Sequence, residues 1–199
     1  LKLDPTLLKI NLDIYRNRLA EVTARESRLE AEYTGVASNT RLPVPVQLDG
    51  IIIERHYLGQ QAVFQARREV LAGKKEQLDE RILQFGNQTD GVEGQISAVR
   101  DQLEYVKREL GSLQALNKEG LARESQVLEL QRTESGLLGQ MSQLQSELAR
   151  IKNSIRDTEL EILQSDRTFK EEVVTELREA TATREELVLD ITTVEKQLE

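Results

Sequence analysis

Residues 64–121 read FQARREVLAGKKEQLDERILQFGNQTDGVEGQISAVRDQLEYVKRELGSLQALNKEGL. Phe64, Leu71, Leu78, Phe85, Val92, Val99, Val106 and Leu113 recur every seven residues, with Arg68, Lys75, Ile82, Thr89, Ile96, Leu103 and Leu110 at the complementary positions. From Leu78 onward this is an almost unbroken heptad seam, which a helix buries by supercoiling around another helix. Gly86, Gly91 and Gly94 each lower helix propensity by about 1 kcal/mol relative to Ala. The seam runs through them, so the spacing predicts one helix with a soft or closely packed patch. Asn117-Lys118-Glu119-Gly120 breaks the pattern, and Gly120 suits the left-handed conformation that ends helices.

Beyond that break a second seam begins. Leu130, Leu137, Met141, Leu144, Leu148, Ile151, Ile155, Ile162 and Phe169 keep heptad spacing, with Thr158 and Ser165 as polar gaps. Phe169, Val173 and Leu177 are spaced four and four, a stutter that locally unwinds a supercoil. Ala180, Leu187, Ile191, Val194 and Leu198 then resume it. Two seams joined by a short turn fold back on each other as an antiparallel hairpin. At ~1.5 Å per residue, an arm over 60–116 is about 85 Å long and one over 122–199 about 115 Å. No proline follows Pro45, so nothing interrupts these helices at the ~3 kcal/mol an interior proline costs.

Working back from the hairpin, Leu12, Tyr15, Leu19, Val22, Leu29 and Tyr33 alternate at threes and fours, with Glu26 filling one step. That periodicity marks an amphipathic helix. Asp4 is placed to cap it, with Pro5 at its first turn, and Thr34-Gly35 ends it. This helix can cover the surplus of the longer return arm, remote from the hairpin tip. Stacking on the second helix and lying beside it both fit the pattern. Ser38, Asn39, Pro43 and Pro45 are turn signals, so residues 35–59 are expected to be a loop with room for one short helix. The expected fold is all-α: a first helix at 1–34, this loop, a long coiled-coil hairpin with arms at 60–116 and 122–199, and a tip at 117–121.

Composition narrows the chemistry. There is no Cys, no Trp and one His, which excludes disulfides, thiol nucleophiles and multi-histidine metal sites. The 27 Lys and Arg against 35 Asp and Glu leave a formal charge of −8, which argues against nucleic-acid binding. No apolar run approaches the ~18 residues of a membrane span. The helical pattern still runs at Glu199, so a piece of a longer protein is expected. His56 reads as a surface or loop-packing residue. Glu171-Glu172 and Glu185-Glu186 read as solvated helix faces with nothing to raise a pKa. Arg67-Arg68 and Lys74-Lys75, interleaved with Glu69 and Glu76, read as helix-surface ion pairs. No catalytic, metal or cofactor site is expected, and hence no enzyme. Leu116, Asn117, Lys118, Glu119, Gly120, Leu121 and Arg123 stand apart as the expected partner-contact site, because the far end of an arm is where its reach is used.

Leu3-Asp4-Pro5-Thr6 before an amphipathic helix resembles the end of the first lipoyl half-motif of HlyD-type periplasmic adaptors, the membrane fusion proteins of bacterial type I secretion. Phe64-Gln65-Ala66-Arg67, the Glu119-Gly120-Leu121 turn and Glu176-Leu177-Arg178-Glu179 are similar to that family's pattern. The branch resembled exports proteases and lipases. The resemblance implies a periplasmic hairpin anchored in the inner membrane by a segment outside this chain. It implies partners too: an inner-membrane ABC transporter, a TolC-like outer-membrane channel met by the tip, further copies in a hexameric ring, and the exported protein. Many such adaptors carry Arg, then Leu four residues on, then Ser seven beyond. Anchored on Leu116 this chain has Ser112, Leu116 and Arg123, so only the leucine matches. The rival is a cytoplasmic coiled-coil tether or the coiled-coil arm of a chromosome-structure-type ATPase. An upstream membrane helix would mark the adaptor, a nucleotide-binding strand the ATPase.

Overall fold

The computed structural model describes residues 5–36 and 48–198. Three helices, α1 (Pro5–Thr34), α2 (Gly50–Lys118) and α3 (Glu124–Leu198), make up the order, with no strand among the described residues. The expected cap at Asp4 and the turn signals from Ser38 to Pro45 lie outside the described residues. None of the described helices is long and apolar enough to cross a membrane.

Local chemistry sets the ends. Val36 N–H reaches back to the Ala31 carbonyl at 3.2 Å, with Gly35 at φ 72°. That left-handed residue costs glycine little and closes α1. Asp49 Oδ1 accepts the N–H groups of Ile51 at 2.8 Å and Ile52 at 3.4 Å. This cap satisfies two of the orphan donors of a helix start. It is why α2 begins at Gly50, so that residues 50–59, expected in the loop, are helical.

The contacts divide the chain into two compact units, Leu1–Lys74 with Leu163–Glu199, and Lys75–Ile162. The second is a two-helix antiparallel coiled coil. Val92, Ile96, Val99, Leu103, Leu144 and Ile151 form its buried core, flanked by Phe85, Leu137, Met141 and Leu148. Glu93 meets Lys152 at 3.1 Å across the pair. Every seam position of α2 from Lys75 to Leu113 is buried or half-buried, as a heptad requires. Thr158 is a buried polar step whose hydroxyl donates to the Ser154 carbonyl at 2.8 Å.

The helical glycines are not explained by close approach. A Cβ built at Gly86, Gly91, Gly94, Gly136 or Gly139 meets nothing within 4 Å. Gly91→Ala and Gly94→Ala should therefore each raise stability by up to ~1 kcal/mol. Thermal unfolding followed by circular dichroism checks this; a drop in midpoint would show a constraint that the isolated chain does not display.

The first unit is a three-helix bundle. Leu12 and Leu19 of α1 pack with Leu187 and Ile191 of α3, and Leu29 with Val173 and Ala180. Arg28 meets Gln60 and Asn17 meets His56 on α2. The first helix therefore lies beside the second, parallel to it and antiparallel to α3. Squeezed between two helices, α1 is buried nearly all round from Thr23 to Glu32, while Tyr33, expected on its seam, is 56% exposed.

Candidate partner-contact site

The turn between α2 and α3 is built almost wholly from backbone hydrogen bonds. Leu121 N–H donates to the Leu116 carbonyl at 2.9 Å, and Gly120 N–H to the Asn117 carbonyl at 3.0 Å. With Gly120 at φ 74°, these are the paired 6→1 and 5→2 bonds of a Schellman motif. Asn117 Nδ2 donates across the turn to the Ala122 carbonyl at 2.9 Å. On the far side Arg123 N–H donates to Gln126 Oε1 at 3.2 Å, the reciprocal half of a capping box. That cap starts α3 at Glu124 rather than at Ala122, where the pattern placed it.

The consequence is a stiff turn that leaves side chains free. Leu121 is 72% and Leu116 43% exposed. Lys118, Glu119, Gly120 and Arg123 are exposed too, and Asn117 is half-buried beneath them. The turn thus brings all seven expected contact residues together at one place. It exposes two leucines, Leu116 and Leu121, beside two cations, Lys118 and Arg123, and one carboxylate, Glu119. Nothing there is a nucleophile or buried acid, and no cluster of metal-ligating side chains occurs among the described residues.

A second constellation was not visible in the sequence. In the three-helix unit, Arg28 is buried and donates to Glu32 Oε1 and Gln60 Oε1, each at 2.7 Å, and to Glu176 Oε2 at 3.3 Å. Arg67 donates to Glu176 Oε1 at 2.8 Å, faces Glu32 Oε2 at 3.7 Å and lies over the Phe169 ring. Arg25 reaches Glu176 at 3.4 Å. Next to this layer, Glu26 accepts from Thr181 at 2.8 Å and pairs with Arg184 at 3.4 Å. Arg67 is thus an interhelical residue, not the partner of Glu69 on a solvated face. The one signal was Glu26, a charge sitting on an apolar seam.

Burial pushes the Glu176 carboxyl up, but Arg67 and Arg28 outweigh it and hold the group below its ordinary value of 4.5. The folded chain therefore binds this proton more weakly than the unfolded chain. The stability it contributes is complete above about pH 4.5 and fades as pH falls through the lowered value. Glu176→Gln should accordingly lower the thermal midpoint at pH 7 and much less at pH 3. An equal loss at both pH values would contradict the ionic origin.

The described residues thus form a long antiparallel helical hairpin closed by a glycine turn. The chain belongs to the family described as AprE, long alpha-helical hairpin, whose model matches residues 8–197. It is similar to the type I secretion system membrane fusion protein PrsE of Rhizobium meliloti (strain 1021), at 30% identity over 183 residues, 92% of this chain and 42% of that protein. It is also similar to the alkaline protease secretion protein AprE of Pseudomonas aeruginosa, at 22% identity over 186 residues, 90% of this chain and again 42% of that one. The chain thus spans about two-fifths of the length of these relatives. Among solved structures, the soluble domain of LipC, a membrane fusion protein of a type I secretion system, superposes with a TM-score of 0.90 at 18% identity. That match covers 100% of this chain and 93% of the soluble-domain chain, and it shows a shared fold.

Proposed function

We propose that this chain is the helical-hairpin part of a periplasmic adaptor of type I protein secretion. It is a non-catalytic subunit, anchored in the inner membrane by a segment outside this chain. It links an inner-membrane ABC transporter to a TolC-like outer-membrane channel, and copies of the whole protein ring the path of the exported protein. The observation that carries this reading is the match along residues 8–197 to the AprE long alpha-helical hairpin family, whose similar relatives are named as secretion proteins. The mechanism is spatial. A coiled coil keeps its contacts local along its length, so it contributes reach without a large core. Its turn, with backbone donors already satisfied, offers Leu116 and Leu121 without the ordering cost that a loose loop would add. Lys118, Glu119 and Arg123 around the leucines orient the contact more than they strengthen it.

The test is an in-frame deletion of residues 75–162 from the full protein in its own host. The three-helix unit retains its own contacts, so the shortened protein should accumulate while type I cargo stays in the cell. Undiminished export would overturn the adaptor reading.

A further inference from the structure

Towards its turn, the Lys75–Ile162 coiled coil carries on each helix one exposed row almost free of charge. On α2 the row is Gln95, Ala98, Gln102, Tyr105, Glu109 and Ser112; on α3 it is Gln131, Ser135, Leu138, Ser142, Gln145 and Ala149. Both rows step by three and four, so each is a stripe along its helix. The other flank of each helix is charged in the same stretch: Arg100, Glu104 and Lys107 on α2, Glu147 and Arg150 on α3. Tyr105 and Leu138, the large exposed apolar side chains of the two stretches at 63% and 46%, both lie in the rows. Glu93 and Lys152 meet across the pair and mark one broad side of the hairpin. The α3 row runs on into Lys152 on that side, whereas the α2 row lies across the seam from Glu93. The rows therefore face outward on opposite sides of one chain and do not cover each other.

They do fit each other between copies. Counted from the Glu93–Lys152 pair and the Asn117–Ala122 bond, Gln95 is level with Ala149, Tyr105 with Leu138 and Ser112 with Gln131, to within a helical turn. Glu109, the charge in the α2 row, is within a turn of the height of Arg132, which borders the α3 row. The hydroxyls of Ser112, Ser135 and Ser142 already donate to carbonyls of their own helix, at 3.1, 2.9 and 3.0 Å, so covering them orphans no donor. In a chain of net charge −8, keeping charge off two matched rows lowers the repulsion between copies where they would touch. We propose that the occupant of these rows is a second copy: the α2 row of one protein packs antiparallel on the α3 row of the next. This rests on the adaptor reading, in which copies ring the export path. Each copy turns one row to each neighbour, a heterologous contact that a rotation closes into a ring. A strip about 27 Å long and one helix wide buries less than the ~1,600 Å² of a stable complex. Anchoring in one membrane supplies the rest through effective concentration.

The test uses the full protein, otherwise free of cysteine, in its own membrane and treated with a short bismaleimide. Gln102→Cys with Ser142→Cys should give a ladder of dimers, trimers and higher forms, because each chain then offers one thiol to each neighbour. Gln95→Cys with Ala149→Cys should do the same. Arg100→Cys with Glu147→Cys, at similar heights on the charged flanks, should give at least tenfold less. Adding Ala98→Glu and Gln145→Glu to the first pair should cut the ladder at least tenfold with helicity unchanged, and Ala98→Lys with Gln145→Glu should restore it. No ladder from either pair, an equal ladder from the charged flanks, or a ladder indifferent to the two glutamates overturns the proposal. Adducts with the outer-membrane channel in place of the ladder overturn it too. A missing ladder with cargo export intact removes this contact and leaves the adaptor reading standing.

Discussion

Export of type I cargo should fall at least a hundredfold when Leu116 and Leu121 are both replaced by Asp in the full protein. The helical content of the chain should not change. The two leucines expose much of their surface at the turn, and burying a leucine against a partner is worth about 1.5–3 kcal/mol. Losing two such contacts removes roughly 3–6 kcal/mol, and each 1.4 kcal/mol is a factor of ten. Folding is insulated from the change. The turn is closed by main-chain bonds from Leu121 and Gly120 to the carbonyls of Leu116 and Asn117, which any side chain at those positions preserves. Leu83→Asp is the matched control: this leucine is 62% exposed on the flank of α2, and its replacement should leave export within twofold of the parent. Secreted cargo in the medium, measured against the level of membrane-inserted adaptor, gives the readout. Export that survives the double substitution would place the partner contact elsewhere.

The second large effect lies in the three-helix unit. Leu19→Ala should destabilise the docking of α1 by about 2–5 kcal/mol, the range for truncating a fully buried leucine. Leu19 is completely inaccessible and packs with Leu187 and Ile191. For a chain of this size ~3 kcal/mol corresponds to a fall of about 10 °C in thermal midpoint. The amides of α1 should exchange faster than those of the Lys75–Ile162 coiled coil, because α1 opens as a local unit. Ile14→Ala, on the exposed face of the same helix at 46%, should change stability by no more than ~0.5 kcal/mol. Equal shifts from the two substitutions would contradict the packing described for α1.

These two expectations also mark what the sequence made legible. The hairpin could be read residue by residue: the positions assigned to the seam from Lys75 to Leu113 are ones the structure covers, and Gly120 takes the left-handed conformation expected of it at the break. Heptad spacing carries that information because burial on a two-helix seam depends only on which face a residue occupies. The start of α2 was less legible. Asp49 followed by Gly50 looks like a turn, and only the geometry shows its carboxylate capping Ile51 and Ile52. The arrangement of α1 was open because an amphipathic stripe states that a face is buried, not against what.

The charged layer was hidden for a related reason. Arg28 four residues before Glu32 has the spacing of an ordinary solvated helix pair, and Arg67 sits in a run of mixed charge that reads as a helix surface. Their burial comes from a third helix whose position the local pattern does not encode. What the sequence did offer was Glu26 on an otherwise apolar seam, and the structure gives it two partners on α3.

The most direct test of the central claim, that the α2–α3 turn is the surface presented to the outer-membrane channel, is site-specific photocrosslinking in living cells. A benzoylphenylalanine at position 121 of the full protein should yield, on irradiation, an adduct containing the outer-membrane channel, while the same probe at position 83 should not. Channel adducts from position 83 with none from position 121 would contradict the account.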